Sequence, residues 1–168
     1  MARVLIVGCG CRGRELAAAL TARGHTIRGT SRDPASLPRI AAAGAEPALA
    51  DPDRIGTLME ALAGATVVCW LMGSATGDPA HAAELHDGRL SMLFERIVDT
   101  PVRGVLHEAA GPLPPEVYAR ATAIAAAAAD TWQIPVATLT ADPREHAHWL
   151  RMAVGAVEGL LTPPEDAR

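Results

Sequence analysis

Six short apolar, β-rich runs alternate with six helical patterns from one end of the chain to the other, and this alternation restricts the fold more than any other feature. The strand-like runs are Arg3–Val7, Thr26–Thr30, Glu46–Ala50, Thr66–Met72, Gly104–Glu108 and Pro135–Thr140. Helical patterns cover Gly13–Arg23, Ala35–Ala43, Arg54–Ala63, Ala80–Asp99, Pro115–Trp132 and Glu145–Leu161. The first run and the fourth, "TVVCWLM", are nearly continuously apolar, as strands covered on both faces are. Strand–helix units in an unbroken series predict an α/β fold: a doubly wound, parallel, six-stranded sheet of Rossmann type with helices on both faces. Right-handed crossovers then give the strand order 3-2-1-4-5-6. Gly24, Gly44 and Gly64 each follow a helical stretch, where a left-handed cap wants glycine. The stretch Gly73–Leu90, "GSATGDPAHAAELHDGRL", reads as loop, helix or mobile lid. No linker or change of composition interrupts residues 1–168, which are read as one domain.

Composition removes several classes of function. A net charge of −4 and a pI near 5.8 argue against non-specific nucleic-acid binding, which needs a basic face. No apolar segment reaches the roughly 18 residues of a membrane span. "MARVLIVGCGCRGRE" becomes charged again too soon for a secretory leader, so the expected location is the cytoplasm. Three cysteines, an odd number, point to reduced thiols rather than a disulfide framework.

The chemistry starts in "VLIVGCGCRGRE", where Gly8, Gly10 and Gly13 stand at G-x-G-x-x-G spacing after a strand and before a helix. Gly8 allows the tight turn, Gly10 lets a pyrophosphate approach the backbone, and Gly13 lets the helix pack on the sheet. The helix start then offers unpaired N–H groups and a positive dipole end to the phosphates. Cys9, Cys11 and Arg12 belong to the same loop. The cysteines read as small fillers near the backbone or as a C-x-C redox pair, and Arg12 as a second phosphate charge or a solvated arginine at the helix start. Strand two ends in Thr30-Ser31-Arg32, a hydroxyl pair and a guanidinium that suit a ribose 2′-phosphate, so the expected cofactor is NADP in preference to NAD. Asp33 is a late acidic residue or the cap of the next helix.

With these residues, "VLIVGCGCRGRELAAALTARGHTIRGTSRDP" together with "AEPALADPDR" resembles the N-terminal half of NADP-dependent short-chain dehydrogenase/reductase-like proteins. The likeness is to their extended and atypical branches, which include sugar epimerases and NmrA-type sensors. The resemblance implies that Asp51 approaches the adenine amino group, with helix capping by Asp51 or Asp53 as the alternative. It also implies that Met72, Gly73 and Ser74 lie beside the ribose and nicotinamide. The family's usual Tyr-x-x-x-Lys pair is missing: Tyr118 is followed by Thr122, and no lysine occurs anywhere. The C-terminal region with which extended members build a substrate pocket has no counterpart among these residues. Any substrate site must therefore come from the loops Gly73–Leu90 and Ala109–Pro115 or from a second subunit.

Tyr118 itself reads as a residue on a surface turn. His107 and Glu108 end strand five and face opposite sides of the sheet, one the helix layer and one the crevice. By the resemblance, Glu108 stands near the family's active-site serine, which makes it the candidate contact for nicotinamide. His81, Glu84, His86 and Asp87 lack the i, i+4 histidine spacing of a helical zinc pair, and "EHAH" would ligate only from an extended chain, so no metal site is expected. Trp70 and Trp132 read as core, and Trp149 as core or an oligomer contact. The reading is an NADP(H)-binding or redox-sensing module, with an atypical oxidoreductase of a small carbonyl, quinone or flavin as the alternative. A homodimer through the last helices is also expected.

Overall fold

A computed structural model describes residues 1–163. Six parallel strands form one sheet: β1 (Arg3–Val7), β2 (Thr26–Ser31), β3 (Glu46–Leu49), β4 (Val67–Trp70), β5 (Gly104–Glu108) and β6 (Val136–Leu139). Their order is β3-β2-β1-β4-β5-β6, as the alternation predicts. Seven helices connect or follow them: α1 (Cys11–Thr21), α2 (Leu37–Ala42), α3 (Ile55–Ala61), α4 (Pro79–Glu84), α5 (Gly88–Ile97), α6 (Pro115–Trp132) and α7 (His146–Leu161).

The side chains divide between two cores, one on each face. Leu58 of α3, Phe94 of α5 and Ala121 of α6 pack with Leu5, Val68 and Trp70 on one side. On the other side Leu16 of α1, Ile40 of α2 and Trp149 of α7 pack with Val4, Ile6 and Leu106. The cores are mainly aliphatic and alanine-rich; Trp70, Phe94 and Trp149 are the large aromatics fully sealed in them. Burying each such side chain contributes about 1.5–3 kcal/mol.

Several boundaries differ from the sequence reading. Strands β3, β4 and β6 are shorter than their apolar runs, β2 reaches Ser31, and α1 begins at Cys11, inside the glycine motif. The helix expected over Ala35–Ala43 opens as a 3₁₀ turn, Pro34–Ser36, whose first amide is capped by the Asp33 carboxylate. The helix expected over Ala80–Asp99 is broken at Leu85–Asp87. There the Leu85 carbonyl accepts from the Trp70 indole N–H at 2.9 Å, and His86 turns inward to the Met72 carbonyl at 3.0 Å. Trp70 of β4 thus takes up a backbone carbonyl that a continuous helix would use.

Candidate nucleotide-binding site

The glycine loop between β1 and α1 sits at the carboxyl edge of the sheet, where its three glycines do three different things. Gly8 has φ +82°, and a Cβ there would come within 2.7 Å of the Leu71 carbonyl oxygen and the Met72 side chain. A Cβ on Gly13 would lie 3.1 Å from the Gly8 carbonyl, so the helix folds back closely on its own loop. At Gly10 a Cβ would meet nothing within 4 Å: the backbone is bare toward the cleft. The Cys9 N–H donates to the Thr30 carbonyl at 3.0 Å, tying the loop to the end of β2. Among the described residues no side chain caps α1, so its first-turn amides stay available to an anion.

The cleft beside this loop has a volume of about 290 Å³. Gly8, Cys9, Gly10, Thr30, Ser31 and Arg32 line one side, and Asp51, Met72 and Ser74 the other. Cys11, Arg12 and Gly13 border an adjoining recess of about 90 Å³, together with Ser74 and Trp149. Gly73 lies beneath, buried, with its N–H on Glu108 and its carbonyl on Tyr118.

The end of β5 carries an ionic cluster rather than an open polar face. Glu108 has no exposed surface, and its carboxylate accepts from the Gly73 N–H at 2.8 Å, the Trp149 indole N–H at 2.8 Å and Arg12 Nη2 at 3.2 Å. Burial pushes its pKa up, against the lowering effect of Arg12 and the hydrogen bonds. Arg12 also donates to Ser74 Oγ at 2.7 Å and lies 5.2 Å above the Trp149 ring. Arg12 is therefore neither a solvated arginine nor a free phosphate charge, because a buried carboxylate neutralises it.

His107 faces the opposite layer, as strand alternation requires. It is sealed as well, neither ring nitrogen has a hydrogen-bond partner among the described residues, and burial with nearby His86 pushes its pKa down to about 4. Glu108, the residue expected to contact nicotinamide, is roofed by Arg12, and His107, on the same face of β5 as Val105, lies on the α5–α6 side.

A scan against protein families matches residues 8–148 to the NAD(P)H-binding family. The chain belongs to that family. No curated protein matches the sequence. Among solved structures, a protein of Bacillus halodurans described as an NAD-dependent epimerase/dehydratase superposes with a TM-score of 0.68 at 19% identity, covering 83% of this chain and 70% of that one. UDP-glucose 4-epimerase of Thermotoga maritima, with UDP-glucose, gives 0.68 at 11% identity over 82% of this chain and 54% of its own. Triphenylmethane reductase of Citrobacter sp., complexed with NADP(H), gives 0.59 at 16% over 82% and 48%. The chain thus spans from about half to 70% of the length of these proteins, and at such identities the likeness is one of fold.

The remaining residues sort by what holds them. Asp51 forms a turn with the Asp53 N–H at 3.0 Å and does not cap α3; nor does Asp53, which reaches across the cleft to Arg89 at 3.0 Å and His81 at 3.3 Å. That clasp links the loop after β3 to α4 and α5, so the stretch read as a possible lid is a folded wall of the site. Tyr118 is buried rather than on a surface turn: its hydroxyl donates to the Gly73 carbonyl at 2.7 Å and accepts from the Leu113 N–H at 3.1 Å. Cys9 is buried with its pKa pushed up to about 11, while Cys11 is exposed, which separates the C-x-C pair into a filler and a surface thiol. Trp149 is core, and Trp132 packs half-buried against the α5–α6 layer. Among the described residues no three potential ligands converge on a metal position.

Arg14 and Ser36, which the sequence does not single out, line the cleft, as do Asp53 and His81, which it reads as a helix cap and a metal candidate. Arg14 had a readable signal, since it directly follows Gly13 in the first turn of the phosphate-facing helix.

Proposed function

We propose that this cleft binds NADP(H), and that the protein is a cofactor-binding or redox-sensing module of short-chain dehydrogenase-like type formed by residues 1–168 as one domain. The observation that carries the preference for NADP is the charge at the adenosine end. Arg32, just after β2, and Arg14, in the first turn of α1, both line the cleft, and among the described residues neither has a carboxylate within 4.0 Å. The acidic groups that would otherwise receive a ribose hydroxyl are engaged: Asp33 caps the 3₁₀ turn, and Asp53 is held by Arg89 and His81. An unpaired guanidinium matches a 2′-phosphate in charge and planar geometry.

In this reading Gly8, Gly10 and the first-turn amides of Cys11, Arg12 and Gly13 receive the pyrophosphate, and Thr30, Ser31 and Arg32 hold the phosphorylated ribose. Asp51 borders the adenine; Met72, Gly73 and Ser74 border the nicotinamide half. When bound, the dinucleotide supplies or accepts a hydride; this chain's groups position it and exclude water. The buried Glu108 and His107 support a binding role over proton transfer, because neither offers a proton to the cleft. A homodimer and a cytoplasmic location complete the proposal.

The test is a comparison of cofactors. NADPH is expected to bind about tenfold or more tightly than NADH, a difference of about 1.4 kcal/mol. Arg32→Ala should erase most of that ratio while leaving NADH affinity nearly unchanged. Equal affinities of the wild-type protein for the two cofactors would sink the NADP assignment.

A further inference from the structure

The cleft at the glycine loop stops short of the far half of the sheet. Its lining follows β1, β2, β3 and β4, and among the described residues none later than Leu85 takes part. Its volume, about 290 Å³, lies at the bottom of the roughly 300–1,000 Å³ that drug-sized ligands occupy. One nucleotide matches that space, and a dinucleotide exceeds it. In a fold with this strand order a dinucleotide lies across the crevice between the first strand and the fourth, where the order reverses.

Here that crossing is barred. Arg12, the second residue of α1, donates through Nη2 to Ser74 Oγ in the loop after β4 at 2.7 Å. Ser74 lines the cleft, the recess of about 90 Å³ and a further cavity at the carboxyl ends of β5 and β6, and Arg12 lines the last two. The bridge therefore stands where three spaces meet. Its base is firmly anchored: the buried Glu108 carboxylate accepts from the same Nη2 at 3.2 Å, and the guanidinium carbon lies 5.2 Å from the Trp149 ring centroid. Glu108 is itself fixed by the Gly73 N–H and the Trp149 indole N–H, each at 2.8 Å. The tip is lightly held, because the bond to Ser74 is exposed to solvent. Arg12 Nε is also buried without a partner among the described residues, a cost borne in the closed position. A fixed base and a weakly tied tip can part at the tip without unfolding the site.

We propose that the Arg12–Ser74 bridge is a latch: closed, it leaves the cleft open to the adenosine 2′,5′-bisphosphate half of the dinucleotide and keeps the nicotinamide half from seating. The inference rests on the reading of the cleft as an NADP(H) site. NADPH then binds mainly through its adenosine half, and the free energy of opening the latch offsets what the other half contributes. Removing the bond at Ser74 lowers that opening cost and favours the whole dinucleotide over its adenosine half.

The probes are NADPH, NADP⁺ and adenosine 2′,5′-bisphosphate. Calorimetry gives the affinities of NADPH and the bisphosphate, and saturation-transfer NMR on NADP⁺ reads which of its protons touch the protein. The wild-type protein should bind the bisphosphate within about fivefold of NADPH. Its NADP⁺ spectrum should show saturated adenine protons and nearly silent nicotinamide protons. Ser74→Ala, which removes an exposed hydrogen bond, should raise the ratio of NADPH to bisphosphate affinity about 3–10-fold and bring up the nicotinamide signals. Arg12→Ala combined with Glu108→Gln, which removes the latch without stranding a buried charge, should do the same. A larger deficit for the bisphosphate, nicotinamide protons saturated as strongly as adenine in the wild type, or a ratio unchanged in either variant overturns the latch. Tight NADPH binding through both halves removes only this inference, whereas failure of both nucleotides to bind removes the reading of the cleft.

Discussion

Replacing Arg12 by Ala is expected to destabilise the protein by about 3–5 kcal/mol near neutral pH, because it strands a carboxylate that has no exposed surface. For a chain of this size that is a fall in Tm on the order of 10 °C. The loss depends on pH, and its sign follows from Glu108. Its native pKa lies above the ordinary 4.5, so the stability it contributes is full below that value and is lost as pH rises through the native pKa. Without Arg12 the native pKa moves further up and the decline with pH steepens. Thermal unfolding should therefore show a smaller gap between variant and wild type at pH 5 than at pH 8. Adding Glu108→Gln to the Arg12→Ala chain should restore most of the stability at pH 8. A gap of equal size at both values would mean that packing, not charge, accounts for the loss.

Trp149→Ala is the second large effect. The indole is fully buried between α7 and the sheet, and truncating such a side chain costs about 3–5 kcal/mol. Trp149→Phe keeps most of the volume but removes the N–H that Glu108 accepts at 2.8 Å, at a cost of about 1–3 kcal/mol. Urea unfolding of the two variants separates packing from hydrogen bonding. Phe should fall between wild type and Ala, and equal losses in Phe and Ala would show that the bond to Glu108 carries the whole contribution.

The parts of the site that could be read in the sequence are local in the chain. Gly8, Gly10 and Gly13 lie within six positions of one another, their strand and helix are adjacent, and each glycine has a geometric duty that no other residue meets as well. Thr30 to Arg32 follow at the end of the next strand, and parallel pairing of β1 with β2 puts them beside the loop. What could not be read depends on long-range closure. Arg12 meets Glu108 across 96 residues, and nothing near either residue marks the other as its partner. Tyr118 reads as a surface residue because helical periodicity does not show that the turn before α6 returns its first face over Gly73. The break between α4 and α5 was hidden for a similar reason: its cause is the Trp70 indole, fifteen positions upstream in β4. In each case a tertiary partner overrides local pattern.

The claim at the centre of this account is that the glycine loop and the end of β2 form a dinucleotide site. Titrating NADPH into ¹⁵N-labelled protein tests it directly. One saturable site is expected, with the largest amide shifts at Gly8–Gly13 and Thr30–Arg32 and little change at His25 and Thr66, on the opposite edge of the sheet. Absence of saturable binding, or shifts centred away from the glycine loop, would contradict it.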